Sequence, residues 1–386
     1  MLPAARISAA IEVLDRALGG TGLESALTAW GRANRFAGSG DRAAIRDLVF
    51  DGWRCRRSFA ALGGGDTGRG LMLGRLRAAD QDTSAFFTGM GHAPSPVTAQ
   101  DAHLSASQNE MLDCPDWLAP YLQQSLGANF EPVMQAMRHR APVFLRVNLA
   151  RISRDDAAVM LAKDGMETAP HALAATSLQL LTSSRKIMIT QAYLEGFVEL
   201  QDAASQAVVE AIPLIPGQRV LDYCAGAGGK ALALAARGDI NLWAYDVDAG
   251  RMRDLPKRAA RAGAKIGLLG NPAQHAPYDV VLADAPCSGS GSWRRDPQGK
   301  WALTKARLAE LMAVQAQVLD KAAPLVARDG LLVYATCSVL GYENQDQIAG
   351  FLARSAGWHQ ILERQFTPLD GGDGFFLAIL TRKSEQ

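Results

Sequence analysis

The chain has 386 residues, of which 48% are hydrophobic and 20% charged, with a formal net charge of +1. That length suits two domains, and the balance of apolar and charged residues excludes both a disordered chain and a membrane protein. Near-neutrality excludes a strongly basic molecule, so any footprint for nucleic acid must be a local patch. The amino terminus carries Glu12, Asp15 and Arg16 where a signal peptide needs an unbroken apolar run. No segment approaches the roughly 18 consecutive apolar residues of a spanning helix, so a soluble, cytoplasmic protein is expected. The five cysteines, at 55, 114, 224, 287 and 337, are odd in number and show no CxxC spacing. A disulfide framework and a zinc site are therefore not expected, and neither is any other metal.

From Ala4 to about Leu62, apolar residues recur at helical spacing, as in Ile11, Leu14 and Leu18, then Ile45, Leu48 and Val49. This predicts a helical domain over 1–90. Arg54, Arg56 and Arg57 fall at the end of a helix that begins near Asp41, where cations suit the helix dipole and could equally meet RNA. The Pro-, Ser- and Ala-rich stretch 91–112 reads as a linker, and 113–140 as a helical bridge. At Phe144–Val147 the pattern changes to alternating strands and helices, predicting an α/β domain with a mainly parallel sheet over 141–386. Its expected strands are Arg219–Tyr223, Leu242–Tyr245, Ile266–Leu269, Val280–Ala283 and Leu331–Ala335. A terminal pair, Gln360–Gln365 and Phe375–Thr381, is joined by the turn LDGGDG.

The segment RVLDYCAGAGGKALALAA, from Arg219 to Ala236, runs from a buried strand through a glycine-rich turn into a helix. Glycines let a ligand approach the backbone and expose amides at the helix start. Asp246 ends the next strand, where nucleotide-binding α/β folds place a carboxylate against ribose hydroxyls. A phosphate loop of the Walker type fails, because Lys230 is followed by Ala231 and the first glycine position is Cys224. A dinucleotide fingerprint ending in Ala231 is permitted, so an NAD-linked oxidoreductase stays open at this point.

Asp284 and Cys287 lie just past one expected strand and Cys337 just past another. If those strands are neighbours, both thiols and the cofactor share one cleft. Such a cleft has a use. Cytosine C5 is too weak a nucleophile to accept a methyl group from a sulfonium, and thiolate addition at C6 turns it into an enamine-like carbon that can. A second group can assist expulsion of the enzyme sulfur, and an acid near the base can hold its edge. Cys55 and Cys114 lack this context and read as structural, and Cys224 as filling space beneath the turn.

Taken in order, LRVN (Leu145–Asn148), GFVELQDAASQ (Gly196–Gln206), CAGAGGK (Cys224–Lys230), DAPCSGSG (Asp284–Gly291), Lys300–Trp301, TCS followed by Glu343–Asn344, and DGFF (Asp373–Phe376) resemble the Sun/RsmB-like RNA cytosine-C5 methyltransferases. The resemblance implies a Rossmann-like class I methyltransferase sheet preceded by an all-helical, NusB-like RNA-binding domain, S-adenosylmethionine as cofactor, and a monomer. It implies that Cys337 forms the covalent adduct and that Cys287 assists release, with Asp284 beside them. It assigns Cys224, Ala225, Gly226, Ala227, Gly228, Gly229, Lys230, Asp246 and Asp284 to the cofactor or target base. One departure stands out: where the family has an aspartate near the adenine, this chain has Asn271. DNA cytosine methyltransferases also carry a Pro-Cys pair, but there that cysteine attacks, and this motif order resembles the RNA enzymes.

The implied substrate is RNA, with small-subunit (16S) ribosomal RNA first and transfer RNA second. Arg146, Asn148, Arg294, Arg295 and Lys300, with Trp301, are the expected RNA contacts. A contrasting reading is an RNA-binding assembly factor that keeps the fold without catalysis.

Overall fold

The computed structural model describes residues 1–382. They divide into two compact units, Met1–Arg140 with Trp293–Ala302, and Ala141–Ser292 with the chain from Leu303 onward.

The first unit is helical, as expected. Its main helices are α1 (Pro3–Leu18), α2 (Leu23–Ala33), α3 (Ser39–Arg54), α4 (Arg56–Gly63) and α5 (Gly68–Ala78). Pro3 opens α1 at a position that has no amide to lose. Ile7, Ala10, Leu14, Ile45, Val49 and Leu71 then form its core. Helices α4 and α5 touch backbone to backbone: a Cβ on Gly74 would stand 1.9 Å from the Phe59 carbonyl oxygen, so only glycine fits. The stretch expected as a linker is fastened to α5, because Arg69 pairs with the largely buried Asp101 at 2.8 Å.

The second unit holds two sheets. Strands β1 (Val143–Val147), β2 (Thr168–Pro170), β3 (Ser177–Leu180) and β4 (Val198–Leu200) pair antiparallel in the order β2-β3-β1-β4. The helix Arg154–Lys163 packs on them through Ala157 and Leu161. The alternation beginning at Phe144 is therefore a separate small sheet and not the start of the parallel one; local periodicity identifies a strand without identifying the sheet it joins.

The larger sheet comprises β5 (Arg219–Asp222), β6 (Asn241–Ala244), β7 (Gly267–Leu268), β8 (Tyr278–Asp284), β9 (Val326–Thr336), β10 (Trp358–Phe366) and β11 (Phe375–Arg382). Their order is β10-β11-β9-β8-β5-β6-β7. Strands β5 to β9 run parallel, and β10 and β11 join antiparallel. Successive residues of β8 and β9 face opposite cores: Val281 and Tyr334 enter one, Val280 and Val333 the other. Burial on both faces explains why these strands read as continuous apolar runs. The chain runs outward from β5 through β6 and β7, then returns to the other side of β5 as β8. This reversal opens a crevice at the carboxyl ends of β5 and β8, the place where doubly wound sheets bind ligands.

Candidate active site

Beyond β5 the chain turns through Gly226 and Gly228, at φ of +51° and +80°, into the helix Gly229–Ala235. A Cβ at Gly228 would stand 2.3 Å from the Leu255 side chain, so the turn needs glycine for space as well as conformation. Asp246, only 4% exposed, accepts from the Gly226 amide at 2.8 Å and the Asp248 amide at 3.0 Å, and Arg251 reaches it at 3.2 Å. Beneath the turn lies Asp222, fully buried, with neither carboxylate oxygen hydrogen-bonded. Burial pushes its carboxyl up to about 7, and the negative charge of Asp284 adds to the rise. A glycine turn that a ligand can approach closely, with two buried carboxylates beside it, fits a ligand that carries an amine, a sulfonium and a ribose.

On the other side of the crevice, β8 and β9 are paired in parallel, with Asp284 beside Ala335. Two backbone bonds fasten the turn after β8 to the end of β9: Ala285 N–H to the Ala335 carbonyl and Gly291 N–H to the Cys337 carbonyl, each 2.9 Å. The Sγ atoms of Cys287 and Cys337 consequently lie 3.4 Å apart. Lys230 extends from the cofactor turn and donates to Asp284 Oδ2 at 2.7 Å, with its ammonium 4.9 Å from the centre of the Phe375 ring.

These contacts make the two thiols unlike. The hydrogen bond between the two sulfurs holds the Cys337 thiol below its ordinary value, and the Lys230 charge helps. Cys287 is raised well above its own, by the same hydrogen bond and by burial.

The remaining expected site residues divide. Ala225 is buried with its amide on the Tyr245 carbonyl, Ala227 is exposed with its carbonyl taken by Arg258, and the Gly229 carbonyl accepts from Arg146. Cys224 packs into the core beside the turn, and burial raises its thiol. Asn271 is exposed and caps the short turn Pro272–His275 through the Ala273 amide at 3.0 Å. Cys55 and Cys114 are buried in the helical unit, where burial lifts their thiols to about 12 and about 11.

Four of the five expected RNA contacts need correction. Arg146, Asn148, Arg294 and Lys300 are all at most 7% exposed. Arg146 donates to Gln201 and the Gly229 carbonyl, and Asn148 to the Gly196 and Ala262 carbonyls. Lys300 donates to the Arg54 carbonyl at 3.0 Å, and Trp301 to the Trp53 carbonyl at 2.7 Å. Arg146, Asn148 and Lys300 thus tie backbone segments together inside their own units, and of the five only Arg295 stays exposed. Arg54, Arg56 and Arg57 are likewise committed, pairing with Asp51, Asp66 and Asp116. Sequence reasoning also missed the pairing of Lys230 with Asp284. A lysine closing a glycine turn gives no local sign that it will reach across a sheet.

The model of the family described as 16S rRNA methyltransferase RsmB/F matches residues 210–381, and the RsmF/B-like ferredoxin-like domain matches residues 114–185. The ribosomal RNA small subunit methyltransferase B of Escherichia fergusonii is 34% identical over 298 residues, covering 73% of this chain and 69% of the relative. The chain belongs to the RsmB/F family of methyltransferases. The Photorhabdus laumondii protein of the same name is 34% identical over 285 residues, which are 70% of this chain and 66% of the relative, so the chain spans about two thirds of the length of such relatives. A crystallised methyltransferase homologue from Pyrococcus horikoshii is 26% identical with a TM-score of 0.61, over 71% of this chain and 96% of its own. The larger sheet is thus a class I methyltransferase sheet, and S-adenosylmethionine is the cofactor. The nicotinamide alternative falls with this result. Among the described residues no helix is long and apolar enough to cross a membrane.

Proposed function

We propose that this chain methylates C5 of a cytosine in 16S ribosomal RNA, acting in the cytoplasm through a covalent adduct between Cys337 and C6 of the base. The observation that carries the proposal is the pair of thiols 3.4 Å apart, one of them lowered toward thiolate, beside the Lys230–Asp284 ion pair. A methyltransferase of nitrogen or oxygen atoms has no use for two juxtaposed cysteines, whereas the unactivated C5 carbon needs one to switch it on and gains from another to switch it off.

S-adenosylmethionine supplies an electrophilic methyl group when bound, and Gly226, Gly228 and Asp246 would hold it. The Cys337 thiolate forms the Sγ–C6 bond, and the C5=C6 electron pair moves to C5, which takes the methyl group. Asp284 accepts from the exocyclic amine of cytosine and so orients the ring, while the Lys230 ammonium offsets the negative charge that attack sends toward N3. Release requires the C5 proton to pass to a water and the C5=C6 bond to re-form as the C6–Sγ bond breaks. The Cys287 S–H donates to the departing sulfur and stabilises its charge. A stacked base cannot present C6 to a thiol, so the target cytosine is single-stranded or flipped out. Arg295, exposed in its own unit, is the residue proposed to meet the RNA backbone.

The test is transfer of labelled methyl from S-adenosylmethionine to an unmodified 16S ribosomal RNA transcript, followed by nucleoside analysis. Label in 5-methylcytidine is expected. Label in another nucleoside, or in transfer RNA alone, would overturn the chemistry or the substrate, and no label in any RNA would favour the non-catalytic assembly factor.

A further inference from the structure

Glu343, fully buried, sits six residues beyond Cys337 in the short turn that follows β9. Its carboxylate accepts four hydrogen bonds, two at each oxygen. Oε1 takes the Ser288 amide at 2.8 Å and the Gln315 amide group at 3.0 Å. Oε2 takes the Ser288 hydroxyl and the Ser338 hydroxyl, each at 2.5 Å. Four donors occupy the acceptor sites of the carboxylate. Two of the four come from the residue that follows Cys287, and one from the residue that follows Cys337.

The two cysteines depend on this carboxylate unequally. Cys337 ends a central strand whose neighbouring residue Thr336 is paired with Phe376 and hydrogen-bonded to Asn344, while Asn344 in turn holds the Ser338 carbonyl. The sheet fixes its sulfur whether or not Glu343 is charged. Cys287 stands in mid-turn, between an anchor at Ala285 and another at Ser290, whose hydroxyl meets that of Ser338 at 2.8 Å. Between those anchors the turn meets Glu343 three ways, through Ser288 twice directly and through Gln315, whose side-chain nitrogen bridges the Pro286 carbonyl to the carboxylate, while the Ser288 hydroxyl also accepts from the Ser290 amide.

We infer that Glu343 is the positioning residue for Cys287: its carboxylate holds the 286–288 turn so that the Cys287 thiol meets the Cys337 sulfur, and it therefore governs release of the methylated base rather than attack on it. The inference rests on the roles given to the two cysteines above. Removing the carboxylate leaves Cys337 able to form the Sγ–C6 bond and the methyl group able to reach C5. What fails is the last step, in which the C5 proton leaves, the C5=C6 bond re-forms and the Cys337 thiolate departs without the Cys287 hydrogen bond to stabilise it. The signature is an adduct that forms and does not clear, which loss of structure alone would not produce.

The experiment follows denaturation-resistant protein–RNA adduct over time, with S-adenosylmethionine and an unmodified 16S ribosomal RNA transcript, for wild type, Glu343→Gln, Ser288→Ala and Cys287→Ala. Glu343→Gln is expected to form adduct at close to the wild-type rate and to clear it about 100-fold more slowly, the scale of a misplaced catalytic group. Ser288→Ala, which spares the carboxylate and every contact of Cys337, is expected to slow clearance by up to about tenfold, the worth of one hydrogen bond. It decides the matter if Glu343→Gln does not fold. The inference is overturned if Cys287→Ala accumulates adduct while the other two variants clear it like wild type, or if they lose adduct formation and clearance in parallel. If Cys287→Ala itself accumulates none, the assignment of the cysteines fails first and this inference with it.

Discussion

In the helical unit nearly every buried charge has an opposite charge or a carbonyl against it; at the strand ends of the second unit, buried polar groups are crowded together and some are left unmatched. Asp113, fully buried in the first unit, accepts from the Ser58 amide, the Ser58 hydroxyl and Arg138. Asp222, just as buried in the second, has no side chain donating to it, and burial raises its carboxyl, with the charge of Asp284 adding to the rise. The first arrangement is what a stable core requires. The second is costly unless a ligand completes it, and unmatched groups of this kind mark where chemistry is done. One unit spends its polar residues on its own fold, and the other holds them ready.

Four substitutions sharpen or break this contrast. Asp113→Ala leaves the Arg138 charge without its buried partner and should destabilise by about 3–5 kcal/mol, read by urea unfolding; a small effect would mean that the first unit does not depend on its internal pairs. Asp222→Asn should do the opposite. A carboxyl raised from 3.8 to about 7 on folding binds its proton more tightly in the native state. Wild-type stability should therefore decline relative to the variant as pH rises between those values, by as much as about 4 kcal/mol. A difference that stays constant from pH 4 to pH 8 would show that Asp222 does not carry a strained charge. Asp284→Asn, which leaves the buried Lys230 ammonium without its charged partner, should lower kcat by about 100-fold, near 3 kcal/mol, and should also lower the unfolding midpoint. Lys300→Met should change stability by no more than about 1 kcal/mol, since a long apolar side chain can fill the same space. Its affinity for RNA, measured by filter binding, should match wild type; a clear loss would return Lys300 to the RNA surface.

All the strands expected in the larger sheet form; the parallel ones are mostly short apolar runs rich in Val, Leu, Ile and Ala, whereas β10 is a largely exposed, polar edge strand. The adjacency of β8 and β9, on which the meeting of the two cysteines depends, follows from the habit of sequential parallel strands to pair. What the sequence did not disclose was set by contacts distant along the chain. Lys300 and Arg294 read as surface cations because isolated lysine and arginine almost always are, and only the packing of the 293–302 segment within the helical unit buries them. The small sheet from Val143 to Leu200 looks locally like any α/β alternation. Glu343 is visible as one member of a motif, but its function as an acceptor for Ser288 arises 55 positions away.

The central claim is the division of labour between the two thiols, and trapping measures it directly. Cys287→Ala and Cys337→Ala proteins, incubated with S-adenosylmethionine and unmodified 16S ribosomal RNA, are denatured and resolved by electrophoresis. A retarded protein–RNA band that appears with Cys287→Ala and is absent with Cys337→Ala is the predicted result. The band appearing with Cys337→Ala instead would contradict the account and reverse the two roles.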